Sequence, residues 1–298
     1  MNVEAGGART FAPRSVSGPA ETMKTKEIMK KYFLILLALG VATVARAARI
    51  DTVAVQSACM QREIPALVIV PEAAAEHPLP VLYLLHGYSG SHTAWQGITD
   101  LRPLSETYSM IIVCPDGENS WYWDSPKNPD VRFETFVAAE LPAWVDARYP
   151  TVARREGRAI AGLSMGGHGA MWLSIRHRDV FGAAGSMSGG VDIRPFPNGW
   201  QMKEQLGELS ENPEVWDAHT VMTQVDSLRD GDLEIIFDCG YDDFFFGVNT
   251  ALHEKLRALG IQHDFVIRPG GHNNVYWANS LPYQMLFFQR FFQRQGIL

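Results

Sequence analysis

Ala159-Ile160-Ala161-Gly162-Leu163-Ser164-Met165-Gly166-Gly167 is a short apolar run that passes through a glycine-flanked serine into a helical pattern reaching His177. Gly162 to Gly166 match G-x-S-x-G, the spacing of a nucleophile elbow, in which a serine sits on a sharp turn from strand to helix with its hydroxyl exposed. Side chains two residues either side of the serine would collide across so tight a turn, so both positions call for glycine. The spacing alone is weakly specific. Here it falls between a strand pattern and a helix pattern, and no other serine of the chain satisfies it.

Outward from this turn, short apolar runs alternate with helical ones. Val81-Leu82-Tyr83-Leu84-Leu85 and Met110-Ile111-Ile112-Val113-Cys114 are continuously apolar, as expected of strands covered on both faces. Ile50 to Ser57 and Ala66 to Val70 read as an antiparallel pair at one edge, and Gly182 to Ser188, Leu233 to Phe237 and Asp264 to Ile267 as further strands. Three-to-four spacing predicts helices over 133–149, 165–177, 249–259 and 283–292, with Pro142 kinking or restarting the first. The alternation predicts an α/β fold, a mostly parallel central sheet flanked by helices. Residues 191–232, with Pro195, Pro197, Trp200 and Trp216, break the rhythm and read as a small lid-like insertion over the site.

Length and composition bound the rest. With 298 residues, 46% hydrophobic and 20% charged, the chain has material for one globular domain, placed at 48–298. Met29-Lys30-Lys31, the apolar run Tyr32 to Ala42 and Ala45-Arg46-Ala47 have the pattern of a secretory signal peptide over 29–47, with an apolar run well short of the ~20 residues that span a bilayer. Residues 1–28 are a polar, Gly/Ala-rich extension outside the fold. The expectation is a periplasmic or secreted protein without stable membrane insertion after cleavage. A net charge of -7 and no Lys/Arg run argue against a nucleic-acid partner. Three cysteines allow at most one disulfide; Cys114 and Cys239 read as core thiols, and no Cys/His cluster calls for a metal or cofactor.

A serine hydroxyl needs a base within hydrogen-bond reach, itself held by a carboxylate. On a sheet of this type they follow in the order serine, acid, histidine, each from the end of a strand. Of nine histidines, His272 is best placed, because Arg268-Pro269-Gly270-Gly271-His272 leaves the last strand for a loop. His86 precedes the serine, His168 lies on the nucleophile's own helix, and His253 and His263 lie on or beside a helix. Asp242 and Asp243 both qualify as the acid, with Asp238 a third candidate; Asp243 is favoured because Phe244-Phe245-Phe246 could keep water from its bond to histidine. An oxyanion would take two backbone N–H donors, from Met165 and from Tyr88 in the glycine-rich loop Leu85-His86-Gly87-Tyr88-Ser89-Gly90.

From Leu82 to about Phe292 the sequence resembles the esterase D-like branch of the α/β-hydrolases, and most of all its tributyrin esterase and feruloyl esterase members. The resemblance rests on Tyr83-Leu84-Leu85-His86-Gly87 with Trp95, Pro115-Asp116-Gly117 with Ser120-Trp121-Tyr122, Gly162 to Gly167, Gly240 through Phe244, and Gly270-Gly271-His272 with Tyr276-Trp277. It implies a Ser164, Asp243 and His272 triad, an oxyanion hole at Tyr88 and Met165, and Trp95, Trp121 and Tyr122 lining the substrate cleft. The activity implied is hydrolysis of short-chain acyl esters, small or carbohydrate-linked (acetyl or feruloyl), without cofactor. Alternatives within the family are mycolyltransferase-like acyl transfer and an S-formylglutathione hydrolase-like thioesterase. A non-catalytic binding protein on the same fold would have no use for the complete serine, acid and histidine set.

Overall fold

Eight runs rich in aliphatic and β-branched residues extend into strands: β1 (Arg49–Ser57), β2 (Arg62–Val70), β3 (Val81–Leu85), β4 (Ile111–Pro115), β5 (Arg158–Leu163), β6 (Ala183–Met187), β7 (Glu234–Gly240) and β8 (Asp264–Arg268). The structure, a computed structural model, describes residues 27–31 and 48–298. The compact unit that carries the sheet is Ala47–Leu298. Apart from residues 27–31, the predicted extension and signal peptide lie outside the described residues.

The strands form one sheet in the order β1-β2-β4-β3-β5-β6-β7-β8. β1 pairs antiparallel with β2, and β2 antiparallel with β4; every other pairing is parallel, as expected. In β3 every residue is buried, and the alternation of side chains sends Val81, Tyr83 and Leu85 into one core and Leu82 and Leu84 into the other. Helices must therefore cover both faces.

They are α1 (Leu101–Tyr108), α2 (running on through Phe133–Thr135, Phe136–Glu140 and Leu141–Asp146), α3 (Met165–Arg176), the short α4 (Met202–Leu206), α5 (Pro213–Ala218) and α6 (Val221–Gln224), then α7 (Phe246–Ala258) and α8 (Asn274–Arg294). α3 is buried from Met165 to Ile175. The expected break at Pro142 takes the form of a π-helical stretch over Phe136–Glu140: proline supplies no N–H and its ring crowds the carbonyl four residues back, and the wider turn relieves both. α8 begins at Asn274 rather than at 283, with Pro282 inside it; the Asn273 side chain caps it by accepting the Tyr276 N–H. Cys114 and Cys239 are buried and Cys59 half-buried, and none is disulfide-bonded. No helix among the described residues is long and apolar enough to cross a membrane.

Candidate active site

Ser164 stands between β5 and α3 with φ 54° and ψ −116°, a conformation that residues bearing a Cβ rarely adopt. Close packing forces it. A Cβ at Gly162 would lie 2.4 Å from the Gly166 carbonyl oxygen, and one at Gly166 would lie 2.6 Å from the carbonyl oxygens of Leu85 and His86. The strand, the turn and the glycine-rich loop 85–90 can approach this closely only because both positions are glycine. The Ser164 N–H donates to the Met187 carbonyl at 2.9 Å, which ties the elbow to β6.

The loops after β7 and β8 bring the other predicted residues to the same end of the sheet. His272 Nε2 lies 2.9 Å from Ser164 Oγ, and its Nδ1 lies 2.8 Å from Asp243 Oδ2. A carboxylate only accepts, so Nδ1 carries the proton and Nε2 is left as the acceptor facing the serine hydroxyl. Asp243 is buried, and its second oxygen accepts the Phe245 N–H at 2.8 Å. The two loops are also joined through their backbones: Tyr241 N–H donates to the Arg268 carbonyl at 3.0 Å and Asp242 N–H to the Gly270 carbonyl at 2.9 Å. This arrangement can move a proton from Ser164 to His272 beside a fixed negative charge.

The other two acid candidates are placed elsewhere. Asp242 is exposed. Asp238 is buried; its Oδ2 accepts both the Ser280 hydroxyl and the Gln284 amide, the latter at 2.8 Å, and its Oδ1 faces the Arg268 guanidinium 3.3 Å away. Burial pushes the Asp238 carboxyl up, against the lowering effect of Ser280, Arg268 and Gln284. It ties β7, β8 and α8 together beneath the site and makes no bond to His272.

His86, set aside as a base, holds the glycine-rich loop 85–90. Its Nε2 accepts the Gly117 N–H at 2.8 Å, so the proton sits on Nδ1, which donates to the Gly87 carbonyl at 2.8 Å. Gly90 N–H donates to the same carbonyl at 3.0 Å. With that oxygen pinned by two donors, the trans peptide turns the Tyr88 N–H to the opposite side. Neither the Tyr88 nor the Met165 N–H donates to an acceptor among the described residues. Composition gave no sign of this use of His86; its buried setting did.

A cleft of about 560 Å³ opens over Ser164, and its lining includes Tyr88, Ala94, Ile98, Trp200, Phe244, His272 and Trp277. The expectation that Trp95, Trp121 and Tyr122 line it is corrected, because all three are buried behind it. Trp95 Nε1 donates to the Leu85 carbonyl at 3.0 Å, and the Tyr122 hydroxyl to the His86 carbonyl at 3.0 Å, so both brace the glycine-rich loop 85–90. Trp121 Nε1 donates to the Trp200 carbonyl at 3.2 Å. Buried indole and phenol groups need such partners, and here backbone carbonyls of the cleft wall supply them. The insertion contributes Trp200 to the cleft but not Trp216, which is buried against the Gly207 carbonyl at 2.9 Å. His168, on α3, is fully buried; burial holds its imidazole down at about 3, so it stays neutral while accepting the Trp123 indole N–H and donating to the Gly190 carbonyl.

With this geometry in view, a family model described as a putative esterase matches residues 57–288. Among curated relatives, an acetyl esterase of Caldicellulosiruptor saccharolyticus is 28% identical over 211 residues, which cover 67% of this chain and 79% of that protein. An esterase of Mycobacterium tuberculosis is 29% identical over 224 residues; these cover 65% of this chain and 48% of the relative, so the match spans about half of its length. Among solved structures, a ferulic acid esterase superposes with a TM-score of 0.71 at 27% identity, covering 83% of this chain and 100% of its own.

Proposed function

The chain belongs to the putative esterase family of α/β-hydrolases, and from that membership we propose that it is an exported serine esterase hydrolysing short-chain acyl esters, carbohydrate-linked ones included, through an acyl-enzyme on Ser164. The single observation that carries the mechanism is the unbroken relay from Ser164 Oγ to His272 Nε2 at 2.9 Å and from His272 Nδ1 to Asp243 at 2.8 Å.

In this reading Ser164 Oγ attacks the ester carbonyl as His272 takes its proton, and Asp243 stabilises the imidazolium and holds its tautomer. The Tyr88 and Met165 N–H groups receive the oxyanion, a contribution worth about 10²–10³ in kcat per donor. His272 then protonates the departing alcohol oxygen, and a water activated by the same imidazole hydrolyses the acyl-enzyme. Every step uses this chain's own groups. Export is supported by the charged start at Lys30-Lys31, the short apolar run and the small residues at Ala45 and Ala47. The preference for short acyl groups is supported by the likeness to the acetyl esterase. The ferulic acid esterase likeness supports a feruloyl ester as a second acyl type.

The test is purified protein assayed on 4-nitrophenyl acetate, butyrate, octanoate and palmitate and on methyl ferulate, with covalent labelling by a fluorophosphonate. Labelling at Ser164 and a graded fall in kcat/KM with chain length are expected, since a methylene in an apolar pocket discriminates by ~1–3 kcal/mol. Labelling elsewhere, or palmitate above acetate, overturns the reading. A ferulate rate above all of them moves the substrate to aromatic acyl esters.

A further inference from the structure

Trp200 and Gln201 are adjacent residues with left-handed backbone, φ 46° and 55°, a conformation that costs any residue with a Cβ. Two contacts hold the pair there. The Trp121 indole donates to the Trp200 carbonyl at 3.2 Å, and the Tyr88 hydroxyl, from another loop that lines the cleft, donates to Gln201 Oε1 at 2.7 Å. The outcome is that the Trp200 ring stacks on Phe244, with centroids 5.7 Å apart and planes at 20°, while Phe244 itself lies 4.3 Å from the His272 ring. Phe244 is 51% exposed and Trp200 is half-buried, packed also against Trp121, Phe196 and Phe245, so the two rings form an aromatic wall where the core meets the cleft.

Its position relative to His272 says which half of an ester it meets. After the acyl-enzyme forms, Nε2 must reach the oxygen of the departing alcohol, so the alcohol lies on the histidine side of the carbonyl carbon. Trp200 is reached from His272 through Phe244, which places it on that side. Ala94 and Ile98, which also line the cleft, come instead from the segment after the glycine-rich loop 85–90.

We propose that the Trp200–Phe244 wall is the subsite for the alcohol half of the substrate, and that it selects alcohols presenting a flat ring, an aryl or a sugar face, which lies against the Trp200 indole. The inference rests on the serine esterase reading above. Aromatic faces take up flat ligands with an apolar face at modest energy. The strained backbone at Trp200 and Gln201 then has a purpose: it holds the ring out over the cleft.

The test compares 2-naphthyl acetate with ethyl acetate on wild type, Trp200→Ala and Trp200→Phe. Both esters pass through the same acetyl-enzyme, so deacylation is common to them and the alcohol is sensed in acylation, which kcat/KM reports. Taking the ratio of variant to wild type for each ester cancels their intrinsic reactivity. Trp200→Ala is expected to lower kcat/KM on 2-naphthyl acetate by roughly 2- to 12-fold and on ethyl acetate by less than about 2-fold, with Trp200→Phe restoring most of the loss. The ratio of 4-nitrophenyl acetate to 4-nitrophenyl butyrate should not move. Equal loss on both acetates overturns the subsite, and so does a change in the acetate-to-butyrate ratio, which would put Trp200 on the acyl side. A wild type that hydrolyses none of these esters and takes no fluorophosphonate defeats the esterase reading itself, a result distinct from an active wild type whose ratios ignore Trp200.

Discussion

Replacing Asp243 by asparagine separates the acid from its neighbour Asp242 through a single hydrogen bond. Asp243 Oδ1 accepts the Phe245 N–H at 2.8 Å, and Oδ2 accepts from His272 Nδ1 at 2.8 Å. In Asp243→Asn the amide has two orientations. The one that sets its NH₂ against the Phe245 N–H opposes two donors in a buried site, so the carbonyl stays with Phe245 and the NH₂ turns to His272. Nδ1 must then accept, which moves the imidazole proton to Nε2, opposite the Ser164 hydroxyl. A histidine in that tautomer cannot take the serine proton, and the negative charge that would stabilise the imidazolium is gone. The expected fall in kcat is about 10⁴-fold, which corresponds to ~5.5 kcal/mol of transition-state stabilisation.

Asp242 is exposed and only its backbone N–H is engaged, with the Gly270 carbonyl at 2.9 Å, so Asp242→Asn should keep activity within about 2-fold. Hydrolysis of 4-nitrophenyl acetate gives kcat, and the rate of fluorophosphonate labelling, which needs the same proton transfer, should fall in parallel. Thermal melting of both variants checks that the fold persists. An Asp243→Asn enzyme within 10-fold of wild type, or an Asp242→Asn enzyme more damaged than it, refutes the tautomer argument.

Ser164→Ala should lower kcat by roughly 10⁴ to 10⁶-fold and abolish fluorophosphonate labelling; retention of a tenth of the activity would place the nucleophile elsewhere. Gly166→Ala puts a Cβ 2.6 Å from two backbone carbonyls and should destabilise the fold by about 1–3 kcal/mol, read from urea midpoints, with an unchanged midpoint counting against the close-packed elbow. His168 is held at about 3 by burial, below the ~6.5 of a histidine in the unfolded chain, so the unfolded state binds the proton first as pH falls. Its stability contribution is complete above about pH 6.5 and is lost on the way down to about 3, at up to ~1.4 kcal/mol per pH unit. Urea unfolding between pH 7 and 4 should therefore show a shallower loss in His168→Gln than in wild type, and identical slopes would contradict a neutral buried imidazole.

How far the sequence could be read depended on how local each constraint was. The elbow was legible because its steric demand falls on the residues two before and two after the serine, Gly162 and Gly166, whose absent Cβ atoms would meet backbone within 2.6 Å. Asp243 and His272 could be proposed from strand order, since each sits at the end of a run that had to be a parallel strand. The start of α8 was hidden because Pro282 reads as a stop, whereas the signal that starts the helix is one asparagine, Asn273, among polar loop residues.

The aromatics mark where local reading runs out. Trp121 and Tyr122 share a strand-end loop of the kind that lines clefts, but their left-handed backbone, φ 56° and 63°, turns them inward, and nothing in their identity forecasts the sign of φ. Trp200 and Trp216 are equally conspicuous in the insertion. Trp216 lies on α5, whose apolar side must be covered, and it goes into the core. Trp200 precedes α4 in a turn that no helical face governs, and contacts from Trp121 and Gln201, distant in sequence or dependent on Tyr88, decide that it faces the cleft. The buried Trp121 and the half-buried Trp200 of the cleft wall are thus linked: the indole N–H of the first donates to the carbonyl of the second. A Trp121→Phe enzyme, which keeps the ring and loses that donor, should reproduce part of the Trp200→Ala loss on 2-naphthyl acetate while leaving ethyl acetate nearly unchanged.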